Sequence, residues 1–266
     1  MYTLTTLCRD IGLAEEAAQA VLSQEISNLP LEKLRRPDTW DDALEEIRTA
    51  LNGDPDGFGI LACQLRCALD AWEDYQKLGL SYEIFVDTMA CFSRFVAEHK
   101  VSYGRYGFDR GFWSVRQIGC KIFRIGQLEY ELYQENGLTA VSIHIPSDAK
   151  LELPLLRQSW EQAKDLIGRT FPEFRDVPYV CESWLLSPDL PGLLPENSRI
   201  LGFQRNFHLH KSFPDESFRE WVFKDRDITN DRLTEHTSLQ RTLKAFVLAG
   251  NQFRNGEGVL SEDPFR

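Results

Sequence analysis

The feature that most constrains this chain is the stretch from Lys121 to Pro146, KIFRIGQLEYELYQENGLTAVSIHIP. Leu128, Tyr130 and Leu132 alternate with Gln127, Glu129 and Glu131, the period of a strand with one face buried. Asn136-Gly137 follows, a dipeptide that tolerates the positive φ values of a two-residue hairpin turn. Val141, Ile143 and Ile145 then alternate with Ala140, Ser142 and His144. With Asn136 and Gly137 as the loop, the register is determined. Leu132 faces Val141, Tyr130 faces Ile143 and Leu128 faces Ile145, while on the other side Glu131 faces Ser142 and Glu129 faces His144. Apolar meets apolar along the whole length, so a β-hairpin is predicted.

The chain before this hairpin carries helical periodicity. Helices are predicted over Ala14 to Ile26, from Trp40 to Leu51 after an Asp38 or Thr39 cap, from Phe58 to Leu78, and from Ser81 onward with Phe85, Met89, Phe92 and Val96 on one stripe. The Gly- and Tyr-rich run Tyr103 to Gly111 reads as a connector, dividing an all-α domain of residues 1–105 from a second domain of residues 111–266. After the hairpin, Leu155 to Thr170 is predicted as a helix and Tyr179 to Leu186 as a strand parallel to the one before it. Arg199 to Phe213 alternates and is predicted as a further strand. Thr237 and Gln240 form a capping-box pattern that opens a last helix, Gly250 ends it, and the tail reads as loop. The fold class expected is α+β, a helical domain followed by a mixed β-sheet with flanking helices.

The formal net charge of −11 makes non-specific nucleic-acid binding unfavourable, because that affinity comes from neutralised phosphates. The longest apolar runs fall short of a membrane span. MYTLTTLCRD lacks the basic start and apolar core of a signal peptide. Six cysteines scattered in apolar surroundings, with no CxxC pair, suit reduced thiols in the cytoplasm.

The order hairpin, helix, strand, short helix, strand resembles the C-terminal half of GNAT-type N-acyltransferases. More specifically, the chain resembles bacterial acyltransferase domain-containing proteins, in which a helical N-acyltransferase N-terminal domain precedes a GNAT-like C-terminal domain. The residues carrying this are Phe123-Arg124-Ile125-Gly126-Gln127-Leu128-Glu129-Tyr130-Glu131 and Ser142-Ile143-His144-Ile145-Pro146, followed by Ser183-Trp184-Leu185-Leu186, Leu194-Pro195-Glu196-Asn197-Ser198 and Ser238-Leu239-Gln240-Arg241. The resemblance implies transfer of an acyl group from a coenzyme A thioester, as co-substrate, to the amine of a small-molecule acceptor. It implies that the strand bearing Ile143 and Ile145 offers backbone amides to the thioester. It also implies that the start of the next helix, with Lys150 and Arg157 nearby, meets the pyrophosphate. The loop there, Ser147 to Pro154, has no glycine and carries Asp148 and Glu152.

Three side chains are candidates for acid–base work. Glu182, on the strand beside that of His144, is the base for the amine proton, directly or through water, that the resemblance implies; the alternative is a charge at a strand edge. His144 is the expected orienting partner, with Glu129 opposite it holding the ring. The alternative for Glu129 and His144 is an ordinary cross-strand polar pair. Cys181 reads as a buried structural thiol. His208 and His210, and likewise Cys63 and Cys67, lack further ligands at metal-site spacing, so no metal is expected. P-loop, GxGxxG, GxSxG and HExxH patterns are absent. The polar set Glu129, His144 and Glu182 favours an enzyme. The glycine-free loop favours a catalytically silent GNAT-like module that binds a small ligand or a protein partner.

Overall fold

In a computed structural model, which describes residues 2–135 and 137–266, the chain divides into two compact units, Met1–Arg124 and Ile125–Arg266. Of the expected Asn136-Gly137 turn, Asn136 lies outside the described residues; Gly137 has the positive φ expected, +80°.

The first unit is helical. It comprises α1 (Leu4–Asp10), α2 (Glu15–Leu22), α3 (Trp40–Ala50), α4 (Phe58–Lys77), α5 (Tyr82–Met89), α6 (Cys91–Tyr103) and α7 (Gly111–Ile118). The central helix is α4, whose Leu61, Cys63, Leu65, Ala68 and Tyr75 are all fully buried. Gly79 has φ +70° just past its end, a conformation an L side chain adopts only with strain. The helix α1 was not expected, and the predicted fourth helix is two, α5 and α6, meeting at Ala90. The helix α7 follows the Tyr103–Gly111 connector yet lies in the first unit. Gln64 of α4 donates to Gly111 O at 2.7 Å and the Tyr75 hydroxyl donates to Gln117 O at 3.1 Å, so α7 closes the helical core.

The second unit is built on a sheet of order β1-β2-β3-β4-β6-β5, and the division between the units runs through β1. The strands are β1 (Ile122–Ile125), β2 (Leu128–Glu135), β3 (Leu138–His144), β4 (Tyr179–Ser183), β5 (Phe207–Pro214) and β6 (Arg254–Leu260). The hairpin has the register expected from its sequence: Glu129 pairs with His144, Tyr130 with Ile143, Glu131 with Ser142 and Leu132 with Val141. The connection from β3 to the parallel strand β4 contains α8 (Leu153–Thr170). The last helix, α10 (Ser238–Leu248), opens on the predicted capping box of Thr237 and Gln240.

Two stretches differ from expectation. Arg199–Gln204 is a helix, α9, and the strand begins only at Phe207. Leu201 and Phe203 are buried as alternation required, but Gln204 is buried too, donating to Ser187 O at 2.6 Å; four residues satisfy either period, and this amide contact favours the helical one. The tail expected to be loop contains β6, which lies between β4 and β5. Its Gly256 and Gly258 lower strand propensity, yet a Cβ at Gly256 would sit 2.0 Å from Leu186 O. The glycine is there because the 3₁₀ turn Trp184–Leu186, which replaces the end of the expected 179–186 strand, passes directly against it.

One sheet face presents Tyr130, Val141, Ile143, Tyr179 and Cys181, all buried. On this face Ser159 of α8 donates from Oγ to Ile125 O, accepts from Leu128 N at 3.3 Å, and lies 3.0 Å from the Tyr130 hydroxyl. That one hydroxyl joins α8 to the β1–β2 turn, where Gly126 has φ +63°. Ser159→Ala leaves buried backbone groups unsatisfied and is expected to lower stability by about 1–3 kcal/mol, as read by urea unfolding. A loss within the scatter of a surface substitution, about 0.5 kcal/mol, would show that this hydroxyl is not what holds the turn.

No helix among the described residues is long and apolar enough to cross a membrane. All six cysteines are free; five are buried and Cys120 is partly so.

Candidate active site

The two parallel strands part early. Val141 pairs with Tyr179 and Ser142 with Val180, and there the ladder between β3 and β4 ends. Beyond it β3 stays with β2 as far as His144, while β4 follows β6 from Val180 to Ser183. The N–H of Val141 donates to Pro178 O at 3.0 Å, toward the β4 edge. Amides alternate along a strand, so that of Ile143 points to the same edge. Ile143 and Ile145 both lie past the last pair, Ser142 with Val180.

The opposite sheet face is polar. Glu129 and Glu131 come from β2, His144 from β3, Glu182 from β4 and Glu257 from β6; the registers put all five on one side. His144 Nε2 lies 2.9 Å from Glu131 Oε2, diagonally across the hairpin. A carboxylate only accepts, so this nitrogen is the donor. Glu131 is a partner the sequence reading missed. The signal was present, because diagonal neighbours on one sheet face are within reach of long side chains. Glu129 lies directly opposite His144 and is itself buried.

Glu182 stands opposite Glu257. Desolvation pushes the Glu182 carboxyl above the usual glutamate range, and the Glu257 carboxylate and Asp215 add to the effect while Lys211 opposes it. Glu257 is held below the usual range, first by its hydrogen bond from Lys211 at 3.1 Å and also by His210 at 3.2 Å. Two like carboxyls side by side thus differ in proton affinity, the arrangement in which one suits the role of base. Cys181 points to the other face, and burial raises its thiol far out of the reactive range. His210 is occupied with Glu257, and among the described residues no group of three or more His, Cys, Asp or Glu side chains is placed to hold a metal.

At the start of α8 some of the expected phosphate donors are already engaged. Ala149 N donates to Pro146 O at 2.9 Å and Lys150 N to Gln127 Oε1 at 2.8 Å. Arg157 Nε meets Glu161 at 2.9 Å and its Nη2 lies 3.4 Å from Asp263. Arg199, not singled out from the sequence, meets Glu152 at 3.0 Å. The Lys150 side chain is in no ion pair among the described residues. A cavity of about 540 Å³ lies elsewhere, along the outer side of α8 and the loop after it, between Trp160, Lys164, Arg169 and Arg175. It does not include Ile143, Ile145 or Glu182, so the parted strand edge is the stronger candidate.

Residues 122–260 match a family model described as the GNAT-like C-terminal domain, and residues 2–120 match one described as the N-acyltransferase N-terminal domain. No curated protein matches the chain. Among solved structures, an acyltransferase in complex with decanoyl-CoA and teicoplanin is 22% identical, with a TM-score of 0.78 over 96% of this chain and 86% of that one. An acyltransferase in complex with decanoyl-CoA is 20% identical, with a TM-score of 0.71 over 97% of this chain and 99% of that one. One in complex with CoA and 10C-teicoplanin is 21% identical, with a TM-score of 0.72 over the same shares. At this identity the likeness establishes a common fold.

Proposed function

Because the chain belongs to the family that joins an N-acyltransferase N-terminal domain to a GNAT-like C-terminal domain, we propose that it transfers an acyl group from an acyl-CoA to an amine. The observation that carries this is the parting of β3 and β4 after Ser142 and Val180. It leaves Ile143 and Ile145 beyond the last pair of the ladder, and Glu182 on the strand that turns away. The bound acyl-CoA of the structural neighbours adds support, and their decanoyl group makes a medium-chain donor the first to try.

Glu182, as a carboxylate, takes a proton from the protonated amine of the acceptor. The amine nitrogen then bonds to the thioester carbon, the carbon–sulfur bond breaks, and the thiolate leaves with its electron pair and takes up the second proton that the nitrogen gives up as the amide forms. His144, oriented by Glu131 and faced by Glu129, positions the acceptor. The amides of Ile143 and Ile145 serve the thioester, and Lys150 and Arg157 the phosphates. The acceptor is a small molecule with an amine. The free thiols suit a cytoplasmic setting.

A second reading, a binding module without catalysis, is favoured by one specific observation: the loop before α8 lacks glycine, and two of its amides are already satisfied. Thermal unfolding with coenzyme A, acetyl-CoA, octanoyl-CoA and decanoyl-CoA separates the readings. A donor at about 100 times its Kd is expected to stabilise the fold by about 2.7 kcal/mol, raising the midpoint, and Lys150→Glu with Arg157→Glu should abolish the rise. No rise with any of the four leaves only the binding module. A rise unchanged in the double variant removes Lys150 and Arg157 from the site.

A further inference from the structure

The polar sheet face holds one charge that the proposed chemistry does not use. Glu257, on β6, lies directly across from Glu182 on β4 and is gripped from β5 by Lys211 at 3.1 Å and His210 at 3.2 Å. Lys211 and His210 both go to Glu257. Among the described residues none forms an ion pair with Glu182. A β-bulge between Leu209 and Lys211 adds a residue to β5 at this level, so His210 and Lys211 both reach the same carboxylate. We infer that Glu257 is a positioning residue for acyl transfer, acting through Glu182: clamped as an anion opposite that carboxyl, it keeps it ready to receive the proton of an incoming ammonium group. The inference rests on Glu182 being the base.

The physical reason is coupled titration. Two carboxyls opposite each other in a sheet are neighbours, and like charges at that separation disfavour one another. When cations stabilise one of the pair, the other takes the proton first, and the titration belongs to the pair. The ordering here agrees: burial first and the Glu257 charge second hold Glu182 above the usual glutamate range, while the hydrogen bond from Lys211 holds Glu257 below it. The other group bearing on Glu182 is Asp215, just past β5, which raises it further; His144, Glu131 and Glu129 lie on the same sheet face. An acceptor arriving as an ammonium ion meets a net negative face and, in Glu182, a base whose proton affinity has been raised toward its own.

The test is a carboxyl-carbon NMR titration of the unliganded protein, with the Glu182 resonance assigned through Glu182→Gln. Glu257→Gln removes the opposing charge and is expected to lower the Glu182 midpoint. Lys211→Met removes the opposing cation and should raise it, and Glu257→Asp should keep the wild-type value. Opposite movements in the first two variants are what a merely structural role would not produce. A midpoint unmoved by Glu257→Gln, or moved in the same direction by both, overturns the inference and leaves the base assignment untouched. The acid limb of the kcat/KM profile for acyl transfer is expected to follow the NMR midpoint. If the midpoint moves while the limb stays, Glu257 still couples to Glu182, and its role in transfer falls together with Glu182 as base.

Discussion

Glu182→Gln is expected to slow acyl transfer by about 10²–10⁴-fold, the usual contribution of a positioned general base. Gln keeps the size and hydrogen-bonding reach of the side chain and removes only the ability to take a proton, so donor affinity should be unchanged. In the wild type the rate should rise with pH as Glu182 ionises. Since its carboxyl titrates above the usual glutamate range, that rise should sit at higher pH than for an ordinary glutamate. The measurement is single-turnover transfer from decanoyl-CoA to an amine acceptor, across pH, with His144→Ala and Glu131→Gln alongside. His144→Ala should lose rate, and Glu131→Gln should lose part of it, because the hydrogen bond that orients the ring is weakened. Folded variants at Glu182 and His144 that turn over within a few-fold of wild type would mean that neither is catalytic and that the polarity belongs to the sheet.

Gly256→Ala is expected to be the most damaging single methyl in the second unit, costing about 3 kcal/mol or more. The added carbon would lie 2.0 Å from Leu186 O and 2.6 Å from Leu186 C, both backbone atoms of a turn that cannot swing aside as a side chain can. Overpacking typically costs about 1–3 kcal/mol where neighbours can relax, and here the strand itself has to move. Gly192→Ala is the control, since nothing lies within 4 Å of its would-be Cβ, and it should change stability by no more than about 0.5 kcal/mol. Guanidinium unfolding of the two variants decides the matter; equal midpoints would show that β6 is not wedged against the Trp184–Leu186 turn. A shift of β6 also carries Glu257 away from Glu182, so the variant should lose the coupling between them.

The parts of the fold legible from sequence are those whose determinants are local. The hairpin register follows from alternation on both strands and from the two residues allotted to its loop, and it puts Glu129 opposite His144 as expected. The capping box at Thr237 and Gln240 is likewise contained within four residues. Arg199 to Gln204 is a helix where a strand is expected, because Leu201 and Phe203 fit a strand or a helix equally well over so short a span. The choice came from where Gln204 could place its amide, beside Ser187 O. The site divides the same way. His144 and Glu182 stood out as polar residues in apolar strands. Which of two glutamates His144 would meet was a matter of side-chain reach, and that contact is with Glu131.

The sequence by itself determined the helical first unit, the hairpin, the parallel return to the strand at Tyr179 and the polar face that carries the candidate chemistry, because periodicity and turn chemistry act between near neighbours. Only the tertiary structure decided that a glycine-bearing tail becomes β6, that it inserts between β4 and β5, and that Glu257 therefore faces Glu182. The physical reason is that Gly256 answers to the backbone of Leu186, far from it along the chain. A residue chosen for what it must not touch leaves no periodic signal of its own.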